Sequence, residues 1–483
     1  MQMIEWDEQT DIVIIGSGLA GLSAAIEANQ AGASVIVFEK MNLTGGNTRI
    51  ADGAVAAPNN YLQKKLGIED SPELLYADMI KAGLGLNHPD LVNVMAQKAA
   101  EAIDWTRETL GVGYMDRLDR FGGHSVARCL TTRSHSGVDF IKALSHLLKQ
   151  KGVEIRTRCL LNRLQKDNQG NVNGVQIRSD YRFPDNQSGT VRNIHAKRAV
   201  ILATGGFGND IQFRMIQNPA LDEAVDSTNH RGATAEGLIA ALELRAAPVH
   251  LSWIQLGPWS CADEKGYGRG ASFASYSVYP AGILIDPATG QRIVNEWADR
   301  RRRCDAIFKA GHICVGIVDA DGAKLDSENL QYSLKRGYVK PFATLTELAS
   351  AFEMPDGQLE MTVKSYNQSV RQGGQDPFGK PLTQGVKPLV KPPFYAIRLW
   401  PKVHYTPGGV GINSKAQVMD LNNRPIPHLF AAGEVCGGIH GASRLGSSSL
   451  TECIVFGRIA GQQAAAINPG QTTKILRYAG SGY

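Results

Sequence analysis

The sequence predicts an α/β protein in which a mostly parallel sheet domain is interrupted by an inserted α+β domain. Short apolar runs, typical of buried parallel strands, occur near both ends of the chain, and helical patterns follow those at the amino end. Between them, from about residue 248 to about 395, the residue pattern changes. The 483 residues also exceed what one hydrophobic core usually supports, which predicts two domains.

The first sixty residues have the pattern of a strand, a turn, a helix and a second strand. Residues 11–16 (DIVIIG) form an apolar run rich in β-branched residues, as a strand buried on both faces requires. Residues 22–32 are helical and end at Gly32, and residues 34–39 (SVIVFE) form the second strand. Later segments are helical at 71–84, 89–110 and 137–151, alternate like strands at 153–178, and form a buried strand at 199–206.

Beyond residue 248 the chain has the composition of a separate capping domain. Trp, Tyr, Pro and Gly are frequent at 253–282, and a strand-like patch at 313–318 is followed by helical segments to about 372. After a proline-rich stretch (377–393), buried-strand character returns at 428–434, before a closing helix at 449–467. We therefore divide the chain into a first part of the sheet domain (1–247), an inserted domain (248–395), a second part of the sheet domain (396–470) and a tail (471–483).

Composition excludes several other classes of protein. The formal charge of +5 is spread thinly, without the basic clusters and interleaved aromatics of a nucleic-acid surface. No apolar run reaches the roughly 18 residues of a membrane span. The seven cysteines form no C-x-x-C motif, and acidic residues precede the first apolar run, unlike a secretory signal. We predict a cytoplasmic protein with no metal centre, no nucleic-acid partner and no membrane span.

The turn after the first strand carries the pattern of a dinucleotide site. Gly16, Gly18 and Gly21 have the G-x-G-x-x-G spacing, which permits a tight turn, close approach of the backbone to a pyrophosphate and close helix–strand packing. The phosphates would lie at the helix N-terminus. Glu39 ends the second strand, where a carboxylate can accept hydrogen bonds from a ribose. The spacing therefore predicts a Rossmann-like dinucleotide-binding domain.

Three further segments favour FAD as the dinucleotide. TGGNT (44–48), ATGG (203–206) and AGE (432–434) match in type and order the segments that wrap FAD in one flavoprotein superfamily. The predicted cofactor-binding residues are Gly16, Gly18, Gly21, Glu39, Lys40, Thr44, Gly45, Gly46, Asn47, Thr48, Ala203, Thr204, Gly205, Gly433, Glu434, Ser449 and Leu450.

Longer motifs identify a family resemblance. With HYTPGGVGI (404–412), AAGEVCGGIHGASRLGSSSLTECIVFGRIAG (431–461), GGHSVAR (122–128) and VNEWADR (294–300), the chain resembles the flavoprotein superfamily of fumarate reductase and succinate dehydrogenase. It is closest in type to the flavin domain of soluble flavocytochrome c fumarate reductases, and the similarity runs from about residue 9 to 467. The resemblance implies an FAD domain with a capping domain and a substrate held between them.

The resemblance also implies roles for individual residues. It assigns His404 and Arg444 to binding of a substrate carboxylate and Arg300 to proton donation. The neighbouring arginines (301–303) leave open which arginine of the run aligns with the proton donor. Asn47 stands where some family members attach FAD covalently through a histidine, so we expect non-covalent FAD. His124 and Arg128 are expected to shape the flavin environment.

Two features of the family are missing. A capping-domain histidine for a second carboxylate aligns with Gly257, and a glutamate–arginine proton relay aligns with residues 274–282, which have neither residue type. Tyr276 and Tyr405 are therefore further candidates for proton transfer, and so is Tyr279. Four aromatic residues either line an apolar half-pocket or belong to the core, and both interpretations stay open. They are Trp253, Trp259, Tyr276 and Tyr279.

The predicted activity is FAD-dependent chemistry on a CH–CH or C=C bond of a small molecule. We predict reduction of an α,β-unsaturated carboxylate larger than or different from fumarate, with hydride from flavin N5, a proton from Arg or Tyr, and an external electron donor or acceptor. One alternative is a desaturase of a cyclic ketone or ring carboxylate, like the ketosteroid dehydrogenases. Another is an electron-carrying flavoprotein subunit.

Overall fold

The computed structural model describes residues 4–373, 375–382 and 386–468. Its strands in chain order are β1 (Glu8–Ile15), β2 (Val35–Phe38), β3 (Ala54–Ala56), β4 (Cys129–Thr131), β5 (Glu154–Arg156), β6 (Cys159–Lys166), β7 (Val172–Ser179), β8 (Thr190–Leu202), β9 (Pro248–Val249), β10 (Gln255–Gly257), β11 (Ile283–Asp286), β12 (Gln291–Arg292), β13 (Cys314–Val318), β14 (Val339–Phe342), β15 (Phe394–Leu399), β16 (Lys402–Tyr405), β17 (Gly409–Gly411), β18 (Gln417–Met419), β19 (Pro425–Ala431) and β20 (Cys436–Gly437).

The helices are α1 (Leu19–Gln30), α2 (Gly46–Ile50), α3 (Tyr61–Leu66), α4 (Pro72–Ala82), α5 (Pro89–Glu108), α6 (Val138–Gln150), α7 (Ile211–Gln217), α8 (Glu236–Glu243), α9 (Arg269–Phe273), α10 (Tyr279–Ala281), α11 (Arg300–Ala310), α12 (Ala320–Ala323), α13 (Ser327–Arg336), α14 (Leu345–Ala351), α15 (Gln358–Gln372) and α16 (Ser448–Ala465). A π-helical turn (Ala274–Val278) joins α9 to α10, and a 3-10 turn (Lys324–Asp326) joins α12 to α13. In the described part of the chain, no helix combines the length and apolarity needed to cross a bilayer.

The larger sheet carries the dinucleotide fold and confirms the α/β class. Its strands follow the order β18-β19-β8-β1-β2-β5, and β7 joins β8 and carries β6. β1 is parallel to both β2 and β8, and β19 is parallel to β8. The apolar residues of β1 and β2 are buried, as expected of parallel strands inside a sheet, and α1 and α16 pack together against this sheet. Gly457 and Gly461 bring α16 against the backbone of α1, where a Cβ at either position would lie within 2.5 Å of a carbonyl oxygen.

Several element boundaries differ from the sequence prediction, and two of them have a clear physical reason. α1 begins at Leu19, three residues before the predicted start, because the glycine turn ends at Gly18 and the last motif residues are already helical. β8 begins at Thr190 instead of residue 199. Its first half pairs antiparallel with β7 and is partly exposed, so it lacks the apolar run that marks a buried strand.

A second sheet forms between the two parts of the first. Its five strands are antiparallel in the order β12-β11-β13-β15-β14 and come from residues 283–399. The strand predicted at 313–318 is β13, and one apolar cluster packs on each face of this sheet. The predicted domain boundaries stay predictions. Residues 1–3, 469–470 and the predicted tail (471–483) lie outside the described residues.

A short ladder connects the capping region to the carboxyl-terminal part of the chain. β10 pairs antiparallel with β16, with Gln255 opposite Tyr405 and Gly257 opposite Lys402. This pairing places Gln255 close to His404, the residue before Tyr405. The ladder thus brings the capping segment and the HYTPGG motif to the same place.

Candidate active site

One cavity extends from the glycine turn after β1 to His404 of β16 and the inward arginines of α11. It is lined by every predicted cofactor residue except Gly21, Thr44 and Gly45. The lining members are Gly16, Gly18, Glu39, Lys40, Gly46, Asn47, Thr48, Ala203, Thr204, Gly205, Gly433, Glu434, Ser449 and Leu450. The described residues contain no group of three His, Cys, Asp or Glu side chains arranged for a metal ion.

The glycines of the first turn have different structural tasks. Gly16 has a φ of +106°, and a Cβ there would lie 2.2 Å from the oxygen of Ala203. A Cβ at Gly21 would lie 2.0 Å from the oxygen of Gly16, so Gly21 lets α1 pack against the end of β1. Gly18 caps α1, and a Cβ there would have no atom closer than 3.9 Å. The free N–H groups of α1 therefore face the cavity, as phosphate binding requires.

Glu39 and Lys40 are fixed in the cavity wall. One carboxylate oxygen of Glu39 accepts hydrogen bonds from the Ser17 backbone N–H (3.1 Å) and hydroxyl (2.6 Å), and the other accepts from the Met41 N–H (2.9 Å). The remaining lone pairs can still accept from a ribose. Lys40 forms an ion pair with Glu236 at 2.9 Å, so its charge is already matched.

The segment after β2 holds the cavity wall in place through its first residues and lines the cavity through its later ones. The Gly45 N–H donates to the Ser17 hydroxyl at 3.1 Å, and the Leu19 N–H donates to Thr48 Oγ1 at 3.2 Å. Thr48 thereby satisfies one of the free N–H groups at the start of α1. Thr44 is half-buried and lies outside the cavity lining.

Asn47 and Glu434 form a polar cluster in the middle of the cavity. The Asn47 amide donates to Asn229 Oδ1 at 2.7 Å and to Glu434 Oε2 at 3.2 Å, and accepts from the His230 N–H at 2.7 Å. The Thr406 N–H donates to Glu434 Oε1 at 3.0 Å. Burial raises the pKa of Glu434, while these hydrogen bonds oppose the rise. A glycine-lined phosphate end, a carboxylate for a ribose and this polar middle fit FAD.

His404 lies half-buried at the far end as a neutral imidazole. Its Nε2 lies 3.2 Å from Arg444 Nη2, and because a guanidinium can only donate, this nitrogen must accept. Its Nδ1 then carries the proton and donates to Thr228 Oγ1 at 2.7 Å, while the Thr228 hydroxyl faces the Val403 oxygen at 3.3 Å. Burial and the charges of Arg300 and Arg444 hold the pKa of His404 well below its ordinary value.

Arg444 is held firmly but retains donors. Its Nη1 donates to the Leu445 oxygen at 3.1 Å, and its guanidinium lies 4.6 Å from the ring centre of Tyr405. Its Nε is buried without a hydrogen-bond partner among the described residues. The Gln255 amide donates to the Arg444 backbone oxygen at 3.0 Å, which ties the capping segment to this arginine. The site can therefore bind an anion through unused N–H groups.

The start of α11 decides which arginines of the run face the cavity. Asp299 caps the helix by accepting from the Arg302 N–H at 3.1 Å. Arg300 and Arg303, one helical turn apart, line the cavity. Arg301 pairs with Asp305 on the outside, and the Arg302 side chain is 64% exposed.

The inward arginines stack on aromatic rings. The guanidinium of Arg300 lies 4.4 Å from the ring centre of Trp259 and contacts Gln255 Oε1 at 3.5 Å. The guanidinium of Arg303 lies 4.4 Å from the ring centre of Tyr279. Trp259 also makes an edge contact with His404, with ring centres 5.0 Å apart. Aromatic faces thus stabilise two cations beside the imidazole.

The hydroxyls of the candidate tyrosines are engaged with protein acceptors. Tyr405 donates to Glu452 at 2.9 Å, Tyr276 donates to Asp52 at 2.9 Å, and Tyr279 donates to the Pro258 oxygen at 2.8 Å. The rings of Tyr405 and Tyr279 line the cavity, whereas Tyr276 lies behind the lining residue Asp52.

Several other candidates lie away from the cavity. Trp253 is 37% exposed and does not line it. Arg128 is buried in ion pairs with two aspartates, and His124 Nε2 contacts the Gly446 oxygen at 2.8 Å. Arg128 and His124 therefore hold the loop behind the cavity. Of Arg128, His124 and Gly446, only Gly446 lines the cavity.

Among the lining residues that sequence reasoning did not single out are Asp52 and Arg303. Arg303 could have been found, because helical spacing within the run puts it on the same face as Arg300. Asp52 gives no local signal, because its partner Tyr276 is 224 residues away. At Gly257, a Cβ would lie 3.5 Å from both His404 and Trp259, so these two side chains occupy the neighbouring space.

Comparisons with known proteins agree with this geometry. The model of the FAD binding domain family matches residues 11–450. The chain is 41% identical over 471 residues to the acrylate reductase flavoprotein subunit of Shewanella woodyi, covering 95% of this chain and 91% of that protein. It is 34% identical over 465 residues to the urocanate reductase of Eggerthella lenta, covering 95% and 75%.

Solved structures give the same fold. The open conformation of a flavocytochrome c3 fumarate reductase matches with a TM-score of 0.75 at 32% identity, covering 95% of this chain and 78% of that one. A 3-ketosteroid dehydrogenase from Rhodococcus jostii RHA1 also matches with a TM-score of 0.75, but at 24% identity this likeness concerns the fold alone. The chain therefore belongs to the FAD binding domain family and is an FAD-dependent oxidoreductase acting on CH–CH or C=C bonds.

Proposed function

We propose that this protein reduces the double bond of an α,β-unsaturated acid that carries one carboxylate. The observation that supports it most directly is the cluster of His404, Arg444 and Arg300 at the end of an FAD-shaped cavity. The names of the two relatives, acrylate reductase and urocanate reductase, also describe acids with a single carboxylate.

Arg444 and His404 would hold the carboxylate. The unpartnered Nε of Arg444 and its Nη2, released from His404, would form a bidentate pair with two carboxylate oxygens. Negative charge develops on this carboxylate as the alkene is reduced. Donors fixed in a buried site stabilise that charge without reorganising, so they act most strongly in the transition state.

Arg300 would give the proton to the substrate carbon. Reduced FAD, when bound, supplies a hydride to the neighbouring carbon. An arginine normally keeps its proton. Burial, together with the charges of Arg444 and Arg303, lowers the pKa of Arg300 well below its ordinary value. The guanidinium groups of Arg300, Arg303 and Arg444 repel one another around one buried space. This repulsion lowers the free-energy cost of removing a proton from Arg300.

The wall opposite the clamp favours an apolar substituent over a second carboxylate. The indole of Trp259 fills the space between His404 and Arg300, and its N–H is buried. Tyr279 presents its ring while its hydroxyl is used by the Pro258 oxygen. A second carboxylate at this wall would lose much of its water, whereas a vinyl or planar group would pack on the aromatic rings.

FAD is proposed to bind without a covalent bond. Asn47 stands at the wall with all of its amide atoms hydrogen-bonded, and an amide offers no nucleophile for attachment. Denaturing the protein in acid and passing it through a filter should release the flavin. Flavin retained with the polypeptide would contradict this part. The external electron donor and the cytoplasmic location stay predictions.

The two alternative functions receive less support. A ketone desaturase would need free tyrosine hydroxyls, but those of Tyr405, Tyr276 and Tyr279 are all committed to acceptors. A flavoprotein that only carries electrons would not need residues that bind a carboxylate, and His404 and Arg444 are such residues.

A flavin oxidation experiment tests the proposal. The FAD-loaded protein is reduced by limiting dithionite without oxygen, and acrylate, urocanate, fumarate or a cyclic enone is added. We expect the monocarboxylates to restore the absorbance of oxidised flavin faster than fumarate does. If no acid restores it, and a saturated cyclic ketone bleaches oxidised flavin instead, the reductase assignment is wrong.

A further inference from the structure

Glu452 is a fully buried carboxylate on α16, the helix that follows the loop of Arg444. One of its oxygens, Oε2, accepts two hydrogen bonds, from the Tyr405 hydroxyl at 2.9 Å and from His440 Nε2 at 2.8 Å. A carboxylate is costly to bury unless hydrogen bonds satisfy it. The two donors therefore fix the positions of Glu452, Tyr405 and His440 relative to one another.

His440 takes part in this arrangement as a donor. A carboxylate can only accept, so His440 Nε2 must carry a proton. Burial lowers the pKa of His440, although its contact with Glu452 opposes this effect, so the imidazole is neutral. The other ring nitrogen, Nδ1, has no hydrogen-bond partner in the described part of the chain. His440 therefore gives its single N–H to Glu452.

Tyr405 connects this buried carboxylate to Arg444. The centre of the Tyr405 ring lies 4.6 Å from the guanidinium carbon of Arg444. The ring of His440 meets the Tyr405 ring edge-on, with ring centres 5.6 Å apart, and the side chains of Tyr405, His440 and Arg444 are all buried. The Tyr405 ring cannot tilt away from Arg444 without breaking the buried hydrogen bond to Glu452, which makes such a movement costly.

The Tyr405 ring takes the place of a carboxylate counter-ion for Arg444. Within the described ranges of the chain, the guanidinium contacts the Leu445 oxygen and His404 Nε2 and forms no ion pair with a carboxylate. A carboxylate could pair with two N–H donors at once and would then compete with the substrate. An aromatic ring attracts the cation through its electron-rich face instead. The donors of Arg444 therefore stay available for a substrate.

The hydrogen bond to Glu452 also strengthens the attraction between Tyr405 and Arg444. A phenol that donates to a carboxylate gains electron density, because hydrogen-bonded groups polarise one another in a buried site. A ring with more electron density attracts a cation more strongly. The charge of Glu452 thus acts on Arg444 through the Tyr405 ring.

We propose that Glu452, Tyr405 and His440 are positioning residues that hold the guanidinium of Arg444 in the orientation that binds the substrate carboxylate. This inference rests on the proposed function, because these residues orient the proposed carboxylate clamp. In this role they exchange neither protons nor electrons with the substrate. Their loss should therefore weaken carboxylate binding and slow alkene reduction while leaving the flavin itself unchanged.

Two conservative substitutions test the positioning role. Tyr405→Phe keeps the ring and removes the hydroxyl, and Glu452→Gln keeps the shape and removes the charge. When the oxidised, FAD-loaded protein is titrated with the saturated acid propionate, the change in the flavin spectrum should give a Kd raised about 10-fold in each variant, as for loss of one hydrogen bond to a charged group. In the reduced protein, flavin oxidation by low concentrations of acrylate should slow about 10²-fold, as expected when an orienting group is displaced.

Oxidation of the same reduced flavin by ferricyanide separates positioning from damage to the flavin site. Ferricyanide takes electrons without using a carboxylate clamp, so its rate should be equal in the wild type and in both variants. The double variant should lose no more than the larger single loss, because both changes break the same hydrogen bond. Tyr114→Phe is the matched control. It removes another buried tyrosine hydroxyl, bonded to Thr106 at 2.6 Å and outside the cavity lining, and should match the wild type in every measurement.

A fall in the ferricyanide rate equal to the fall in the acrylate rate would show general damage to the site and overturn the positioning role. Losses that multiply in the double variant would overturn it too, because the two residues would then act separately. Unchanged propionate binding and unchanged acrylate rates in Tyr405→Phe and Glu452→Gln would also reject it. If acrylate does not oxidise the wild-type flavin, the proposed function fails, and the Kd for propionate in the variants still decides the positioning role.

Discussion

The two ends of the cavity are built from different parts of the polypeptide. The glycine end is built mainly on residues 16–48, joined by the segments 203–205 and 432–434, and presents backbone N–H groups. The cationic end combines side chains from three distant segments, represented by Arg300, His404 and Arg444. A backbone site depends on the absence of side chains, whereas a side-chain site depends on charges that tertiary packing must bring together.

This difference predicts different failures. A side chain added at the glycine end should block binding of the dinucleotide, because the backbone there is packed within van der Waals distance. A charge removed at the cationic end should leave the dinucleotide bound and slow the chemistry. Variants at the two ends can therefore separate cofactor binding from turnover.

The largest effect is expected for Gly16→Val. The new Cβ would lie 2.2 Å from the Ala203 oxygen at a φ of +106°, so the turn cannot keep its shape. We expect purified protein without FAD and a free energy of unfolding lowered by about 3 kcal/mol. Flavin absorbance per polypeptide and urea unfolding measure the two effects.

Gly32→Ala is the control for Gly16→Val. Gly32 also has a positive φ, +84°, but no atom lies within 4 Å of a Cβ there. It should keep full FAD and lose about 1 kcal/mol from backbone strain alone. Equal FAD loss in both variants would mean that conformation, and not close packing, controls the site.

The same contrast explains which parts of the fold and of the site could be predicted from the sequence. The strand–turn–helix of Gly16 to Gly21 was predictable because spacing and local geometry are contained in a few residues. His404 and Arg444 came from a family resemblance, since no local rule brings them together. The place of Asp52 at the cavity could not be predicted, because its hydrogen-bond partner Tyr276 comes from a distant segment, the π-helical turn at Ala274–Val278.

The next largest effect is expected for Arg444→Ala. Removing the clamp should lower kcat/KM for acrylate by about 10³-fold, because a donor that stabilises transition-state charge is lost. FAD should remain bound, since the glycine end is unchanged. Arg302→Ala removes an exposed arginine of the outward face and should have no effect. Loss of FAD from Arg444→Ala would instead make this arginine structural and erase the distinction between the two ends.

A smaller change is expected for Trp259→Ala. Without the indole, the space between His404 and Arg300 opens to water, and a second carboxylate can stay hydrated there. The ratio of kcat/KM for fumarate to that for acrylate should rise about 10-fold, the range for one pocket contact. Trp253→Ala, at an exposed position outside the cavity, should leave the ratio unchanged. A ratio that stays constant in Trp259→Ala would mean that the indole does not contribute to substrate selection.

The smallest effect concerns pH, to which the two ends should respond differently. Backbone N–H groups do not titrate, whereas loss of water around His404 and the charges of Arg300 and Arg444 hold its pKa well below the ordinary value. In the unfolded chain this histidine binds a proton below about pH 6.5, but in the folded protein it does not. The unfolded state then holds more protons, so the free energy of unfolding falls as pH drops below that value.

His404→Gln should remove this contribution. Between pH 5 and 6.5, the slope of unfolding free energy against pH should be shallower than in the wild type by up to about 1.4 kcal/mol per pH unit, the limit for one proton. His146→Gln replaces an exposed histidine that is hydrated in both states and should keep the wild-type slope. Equal slopes in wild type and His404→Gln would mean that His404 is charged in the folded protein. A charged imidazole could not accept from Arg444, and a guanidinium cannot accept either, so the hydrogen bond between the two side chains could not form.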